Sequence, residues 1–88
     1  MHVLVTTAHK GVFVGHTDAE VQPCPEQITL TDCRMAIYWG TERGLAQLAA
    51  EGPTKNTRAS SMVTAWHLRD VTSVIELSGP ASAAWNSL

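Results

Sequence analysis

Residues 2–16 read HVLVTTAHKGVFVGH, and this stretch decides the fold because it predicts the first pair of strands. Two short runs rich in β-branched residues, HVLVTT and GVFVGH, flank a Lys-Gly turn signal in which the glycine can supply a positive φ. Alternation along the second run places Val12 and Val14 on one face and Phe13 on the other. We therefore predict a β-hairpin at the start of the chain.

The β pattern continues after a polar, proline-containing segment. Residues 28–31 predict a short strand that ends at a Thr31-Asp32 turn. Residues 34–39, RMAIYW, alternate between two faces and predict a separate strand in the middle of the chain.

The second half of the chain contains one clear strand signal and two weaker segments. Residues 71–77, VTSVIEL, predict a strand with Val71 and Ile75 on the same face. Residues 63–68 are ambiguous between strand and turn, and residues 56–62 are expected to be irregular.

A short helix is predicted in the middle of the chain. Thr41 is a suitable N-cap, and residues 42–51, ERGLAQLAAE, carry leucine and alanine side chains at helical spacing. Gly52 is placed to end this helix, and Pro53 prevents its continuation.

A second helix is predicted at the end of the chain. Ser78 or Gly79 can act as its N-cap, and Pro80 lies in the first turn. Ala81 and Trp85 stand four residues apart and share one face, so we expect Trp85 to dock this helix onto the rest of the protein.

These elements predict an α+β domain built on a small, mainly antiparallel sheet. We expect four to five strands, with a barrel-like closure as one arrangement, one short central helix and one C-terminal helix. Residues 1–88 are expected to form a single domain, since no internal repeat or linker interrupts them.

Composition narrows the classes of protein. The formal net charge is −2, which lacks the basic excess of a general nucleic-acid binder and makes nucleic acid an unlikely partner. The sequence lacks a signal-peptide pattern and an apolar run long enough for a membrane span, so we expect a cytoplasmic protein with free thiols. A chain of 88 residues with only 16% charged residues has a thin core, and we expect it to form a homo-oligomer.

The stretch 52–61, GPTKNTRASS, is a candidate binding site for a small anionic ligand. Lys55, Asn56, Thr57 and Arg58 could hold a phosphate or carboxylate through charge-assisted hydrogen bonds. The alternative is a solvated loop, because clusters of small polar residues are the usual composition of loops.

A candidate interface set consists of Trp39, Arg43, Trp66 and Trp85, because tryptophan and arginine are enriched at binding hot spots. The alternative is that the tryptophans anchor the core, since a buried aromatic ring removes a large apolar area from water.

No pattern of catalytic or metal-ligating residues is legible. The histidines at positions 2, 9, 16 and 67 have no metal-ligand spacing with one another or with cysteine. No nucleophile motif or carboxylate pair is present, so we expect a protein that is not an enzyme and uses neither a metal nor another cofactor.

Three segments, GVFVG, RMAIYWGTERGLAQLAAEGPT and DVTSVIEL, make the chain resemble a family of small tailed-phage and prophage proteins of unassigned function. The resemblance covers most of the chain and implies an accessory protein made inside a bacterial host cell. Small proteins of this kind often act by binding, so the resemblance implies partners rather than chemistry.

Three functional hypotheses follow. The first is a non-enzymatic phage or prophage accessory protein that binds and inhibits a host or defence-system protein. The alternative is an oligomeric sponge for a small anionic or nucleotide ligand. The third is a small nucleic-acid-associated factor, for which the chain offers no signature.

Overall fold

The computed structural model describes residues 1–8, 11–17, 26–41 and 44–88. These residues form six strands and two helices. The elements are β1 (His2–Thr7), β2 (Val12–His16), β3 (Gln27–Tyr38), α1 (Leu45–Glu51), β4 (Arg58–Ala59), β5 (Val63–Arg69), β6 (Val71–Glu76) and α2 (Gly79–Asn86).

All strand pairs are antiparallel, and the sheet runs in the order β4-β3-β2-β1-β6 with β5 also paired to β3. β5 and β4 lie against successive parts of β3, because Thr31 is opposite Ala65 and Ala36 is opposite Ala59. The predicted α+β class with a mainly antiparallel sheet is confirmed. The sheet is not closed into a barrel.

The predicted pair of strands is confirmed by β1 and β2, in which Leu4 is opposite Val14 and Val5 is opposite Phe13. The positive φ expected at Gly11 is wrong, and Lys10 of the predicted turn lies outside the described residues. The predicted faces are confirmed as well, since Phe13 packs in one hydrophobic cluster and Val12 and Val14 pack in the other.

The prediction of two separate strands on either side of Asp32 is wrong, because β3 is continuous from Gln27 to Tyr38. Asp32 has a φ of 46°, and the pairing register with β2 shifts between Val14 and His16. This is a β-bulge, which accommodates one extra residue and bends the strand instead of ending it. The turn-like sequence therefore marks a bend within a strand.

The prediction of an irregular segment at 56–62 is also wrong in part, because β4 pairs with the end of β3. The ambiguous segment 63–68 is a strand, β5, that lies along the first half of β3. Strand pairing with a distant partner explains both outcomes, since the local sequence carries only part of the preference for a strand.

Asp70 alone separates β5 from β6, although these strands lie at opposite ends of the sheet. Its φ of 57° turns the chain sharply, its carbonyl accepts a bond from Ala8, and Val71 donates to Glu26. The two ends of the sheet therefore approach each other at this corner, so the sheet is strongly curled.

The core consists of two clusters on opposite faces of the sheet. The Phe13 cluster contains Val3, Val5, Phe13, Leu30, Cys33, Leu68 and Val71. The Trp85 cluster contains Leu4, Val12, Val14, Ala36, Leu48, Ala81 and Trp85, so it includes buried residues from both helices.

The predicted faces of the last strand are wrong at its start. Val71 packs in the Phe13 cluster, whereas Ile75 packs against the Trp85 cluster. The register with β1 shifts between Thr6 and Thr7, so β6 contains an irregularity that moves Val71 to the other face.

The central helix is shorter than predicted. It begins at Leu45 with Gly44 as its N-cap, so the prediction of Thr41 as the cap is wrong. Gly44 has a φ of 77° and provides no side-chain cap, and the positive φ explains why glycine stands there. The predicted end is confirmed, since the N–H of Gly52 donates to the carbonyl of Leu48.

The last helix is confirmed with Ser78 as its N-cap. The Ser78 hydroxyl accepts a bond from the N–H of Ala81 and donates to the carbonyl of Ala50, so one side chain caps α2 and binds the end of α1. The Trp85 indole N–H donates to the carbonyl of Leu48 at 3.0 Å. Trp85 therefore docks α2 onto α1 and the sheet, as predicted.

Candidate functional site

The outer side of β5 forms one edge of the sheet. β5 pairs with β3 on one side. On its other side, which we call the β5 edge, no strand of the described part of the chain is paired. β6 is the terminal strand at the other end of the sheet, where Val71 at its start donates to Glu26 and Ser78, two residues after its end, donates to Ala49. An unpaired strand presents free backbone donors and acceptors to any extended segment.

The β5 edge lacks the features that usually prevent strand pairing. Its sequence, VTAWHLR, contains no proline, lysine or glycine, and its pairing with β3 shows no register shift. The only cation is Arg69 at the end of the strand. His67 is exposed, and its ring nitrogen Nδ1 is hydrogen bonded to the hydroxyl of Thr29 at 2.9 Å. The middle of the strand is therefore accessible and uncharged.

The hydrophobic core extends to this edge without being fully covered. Trp66 packs edge-on against Phe13 with ring centroids 4.8 Å apart, yet its side chain is only half-buried. At the start of the strand Met62 is 44% exposed and Val63 is 37% exposed. Apolar surface thus accompanies the free backbone groups, a combination found at protein–protein contacts.

The candidate ligand stretch lies beside a shallow cleft of about 550 Å³. The lining residues are Gly40, Thr41, Gln47, Glu51, Thr54, Lys55 and Asn56. A cation and a carboxylate therefore both border the cleft, so it has no strong preference for an anion.

The hydroxyl groups of this stretch hold the loop together. The Thr54 hydroxyl donates to the carbonyl of Gly40 at 2.8 Å, and the Thr57 hydroxyl accepts a bond from the N–H of Thr54 at 2.9 Å. The Ser60 hydroxyl accepts a bond from the N–H of Met35 at 2.9 Å. The polar composition is thus explained by loop and strand structure.

The four predicted ligand residues do not converge on one point. Lys55 and Asn56 are exposed and border the cleft. Thr57 is half-buried and bonded within the loop. Arg58 belongs to β4, where it is opposite Tyr38, and it is not among the residues that line the cleft.

The four predicted interface residues have different surroundings. Trp39 is half-buried and packs against the Trp85 cluster. Arg43 lies outside the described residues. Trp85 is 1% exposed and offers no surface to a partner. Trp66 is the member of this set that lies on the β5 edge.

A histidine pair that the sequence reasoning missed joins the sheet to α2. His2 and His16 are opposite each other in the hairpin and stack with ring centroids 4.1 Å apart. The Nδ1 atom of His2 is hydrogen bonded to the hydroxyl of Ser82 at 2.6 Å. Burial, followed by the neighbouring charge of His16, lowers the pKa of His2 to about 4. The outer positions of the two predicted strands could have indicated this pairing.

The titratable groups give little support to redox or metal chemistry. Cys33 is a buried free thiol, and burial raises its pKa to about 12, so it stays protonated and unreactive. Cys24 lies outside the described residues. Within the described ranges, no group of three or more His, Cys, Asp or Glu side chains is placed to hold a metal ion.

Comparison with known protein families matches residues 1–85 to DUF6948, a domain of unknown function. The chain belongs to the DUF6948 family. No curated protein and no solved structure matches the chain. The resemblance to a family without an assigned function is thus confirmed at that level. Membership of the DUF6948 family assigns no catalytic or binding residues to the chain.

Neither helix of the described residues has both the length and the apolar character needed to cross a membrane. The longer of the two, α2, runs only from Gly79 to Asn86.

Proposed function

We propose that this protein is a non-enzymatic binding protein that acts through a protein–protein contact along the β5 edge. The observation that carries the proposal is a seven-residue strand with a single cation at its end, whose outer side is paired with no strand of the described residues and lies beside exposed apolar side chains. An extended segment that adds to such an edge gains backbone hydrogen bonds, and flanking side-chain contacts provide specificity.

The chemistry of the edge supports a protein partner more than any other class. Backbone donors and acceptors recognise another backbone, and the half-buried ring of Trp66 offers an apolar contact next to them. A strand with Arg69 as its sole cation offers little attraction to nucleic acid phosphates.

The biological role in this proposal comes from the sequence resemblance. It supports a phage or prophage accessory protein that acts in the cytoplasm of a bacterial host. There it would bind and inhibit a host or defence-system protein.

Site-specific crosslinking in cells tests the contact. A photo-crosslinking amino acid replaces the exposed Ala65 on β5, and the control protein carries it at the exposed Ala83 on α2. We expect a discrete protein adduct from position 65 and none from position 83. Adducts from position 83 alone, or from neither position, would refute the proposed contact.

A second candidate function is an oligomeric sponge for a small anionic ligand such as a nucleotide. The cleft bordered by Lys55 and Asn56 favours it, since an exposed ammonium and amide can hold a phosphate. The carboxylate of Glu51 at the same cleft weakens this candidate. Calorimetry with a panel of mono-, di- and cyclic nucleotides tests it, and absence of heat across the panel rejects it.

A further inference from the structure

We propose that the occupant of the β5 edge is the β5 edge of a second copy of this chain, joined by antiparallel pairing around a two-fold axis at Trp66. This inference rests on the proposed function, because it keeps the β5 edge as the contact, and it names a second copy of the chain as the partner there in place of a host or defence-system protein. The two sheets would then become one continuous sheet across the dimer.

The register follows from the length of the strand. β5 runs from Val63 to Arg69, so its midpoint is Trp66. Two identical antiparallel strands overlap completely only when this midpoint lies on the two-fold axis. Val63 then lies opposite Arg69 of the other copy, and Ala65 lies opposite His67.

Avoidance of like-charge repulsion favours an antiparallel over a parallel pairing of the two strands. The antiparallel register places the cation Arg69 opposite the apolar Val63, whereas a parallel in-register pairing would place the two arginines side by side. Like charges directly opposite each other destabilise a strand pair. The exposed Ala65 also leaves space for the larger His67 ring that lies opposite it.

The partly exposed core at the β5 edge favours a second β5 strand as the partner of this edge. Trp66 is opposite Leu30 within the sheet and packs on Phe13, but it stays half-buried, and no strand of the described residues pairs with the outer side of β5. A second Trp66 across the axis covers that side. Aromatic pairs across strands contribute to sheet stability, so the contact gains energy where the monomer leaves apolar surface exposed.

The first measurement is the mass of the purified chain in solution, by sedimentation across a micromolar concentration series. We expect the mass to rise from that of the monomer to twice 9.5 kDa. A monomer mass at every concentration overturns the inference.

A matched pair of variants locates the contact. Ala65→Lys adds a charge to the β5 edge, and Ala83→Lys makes the same change at an exposed position of α2. We expect Ala65→Lys to weaken the dimer by at least ~tenfold, because an edge lysine opposes strand pairing, and Ala83→Lys to leave it unchanged. A dimer of undiminished affinity in a folded Ala65→Lys variant overturns the inference, whatever the effect of Ala83→Lys.

A disulfide experiment tests the register and stays informative if Ala65→Lys fails to fold. Chains with Ala65→Cys and chains with His67→Cys are mixed, both with Cys24 replaced by serine. Directly opposite residues of an antiparallel pair lie about 4.5–5.5 Å apart at Cα, within the range of a disulfide. We expect the mixed disulfide to form faster than either symmetric one, and faster symmetric Ala65→Cys crosslinks overturn the register.

The outcome is distinguishable from failure of the proposed function. A crosslinked adduct of a different protein at position 65, with a purified chain that stays monomeric, keeps the β5 contact and overturns self-pairing. No adduct at position 65 and a monomeric chain overturn both.

Discussion

The two tryptophans Trp85 and Trp66 have opposite surroundings in the same small sheet. Trp85 lies under α1 on the helix-covered face, 1% exposed, with its indole N–H bonded to Leu48. Trp66 lies half-buried in the edge strand and packs against Phe13, and within the described ranges no strand pairs with the outer side of this edge. The helix-covered face therefore stabilises the fold, whereas the β5 edge remains accessible for binding.

The same contrast appears in how each region is closed. On the helix-covered face, the Ser78 hydroxyl caps α2 and also donates a hydrogen bond to the carbonyl of Ala50 in α1. The start of α2 is therefore bonded to the end of α1. At the β5 edge, exposed Met62 and Val63 accompany backbone groups that no described strand pairs. Changes in the first region should therefore alter folding, and changes in the second should alter association.

The largest expected effect is that of Trp85→Ala. It removes a fully buried ring and the hydrogen bond to Leu48, so we expect the free energy of unfolding to fall by ~3–5 kcal/mol. Trp66→Ala should cost less in stability but more in association. Chemical denaturation and sedimentation of both variants check the pair, and equal losses of stability would break the contrast.

The next effect is that of Gly52→Ala at the end of α1. Gly52 has a φ of 94°, and a Cβ there would lie 2.7 Å from the Cβ of Ala84 in α2. We expect a loss of ~1–3 kcal/mol, because the new methyl group pushes the helices apart. Gly44→Ala is the matched control, since Gly44 also has a positive φ but no atom lies within 4 Å of its added Cβ. Thermal unfolding should rank Gly52→Ala as the more destabilised of the two.

A smaller effect is expected from pH through His2. Its pKa of about 4 in the folded protein lies below the ordinary value of 6.5, so the unfolded chain binds the proton first as the pH falls. The contribution of His2 to stability is therefore present above pH 6.5 and is lost between 6.5 and about 4. His2→Gln should flatten this part of the curve of melting temperature against pH. An unchanged slope would show that folding does not lower the pKa of His2.

The smallest effect is that of Lys55→Gln combined with Arg58→Gln. Both side chains are exposed, and the loop is held by threonine hydroxyls instead, so we expect a change in stability within about 0.5 kcal/mol. A larger loss, measured by thermal unfolding, would mean that these cations hold the loop. Calorimetry on the same variant, with any nucleotide that binds the native chain, shows whether nucleotide binding depends on these two cations.

Sequence reasoning predicted the elements whose signals are local. Periodicity and turn residues within a few positions predicted three elements: the hairpin, the strand that begins at Val71 and the helix docked by Trp85. The alternation of Val12 and Phe13 even assigned the two core clusters correctly.

The rest depended on contacts that are distant in the chain. Asp32 reads as a turn, and only its neighbours in β2 and β5 make it a bulge inside β3. The exposed position of β5 follows from strand order, which no local pattern encodes. For that reason Trp66 could be proposed as an interface residue from its type, but its place at an open edge could not be foreseen.

Hydrogen exchange along β5 tests whether the β5 edge forms the contact between two copies of the chain. Amides of Val63–Arg69 that are not bonded to β3 should exchange rapidly in dilute protein and slowly at concentrations where the mass has doubled. Amides of β1 in the centre of the sheet should show no such dependence. If the mass doubles and the new protection lies on α2 instead, or if β5 exchange is the same at every concentration, the β5 edge is not the contact.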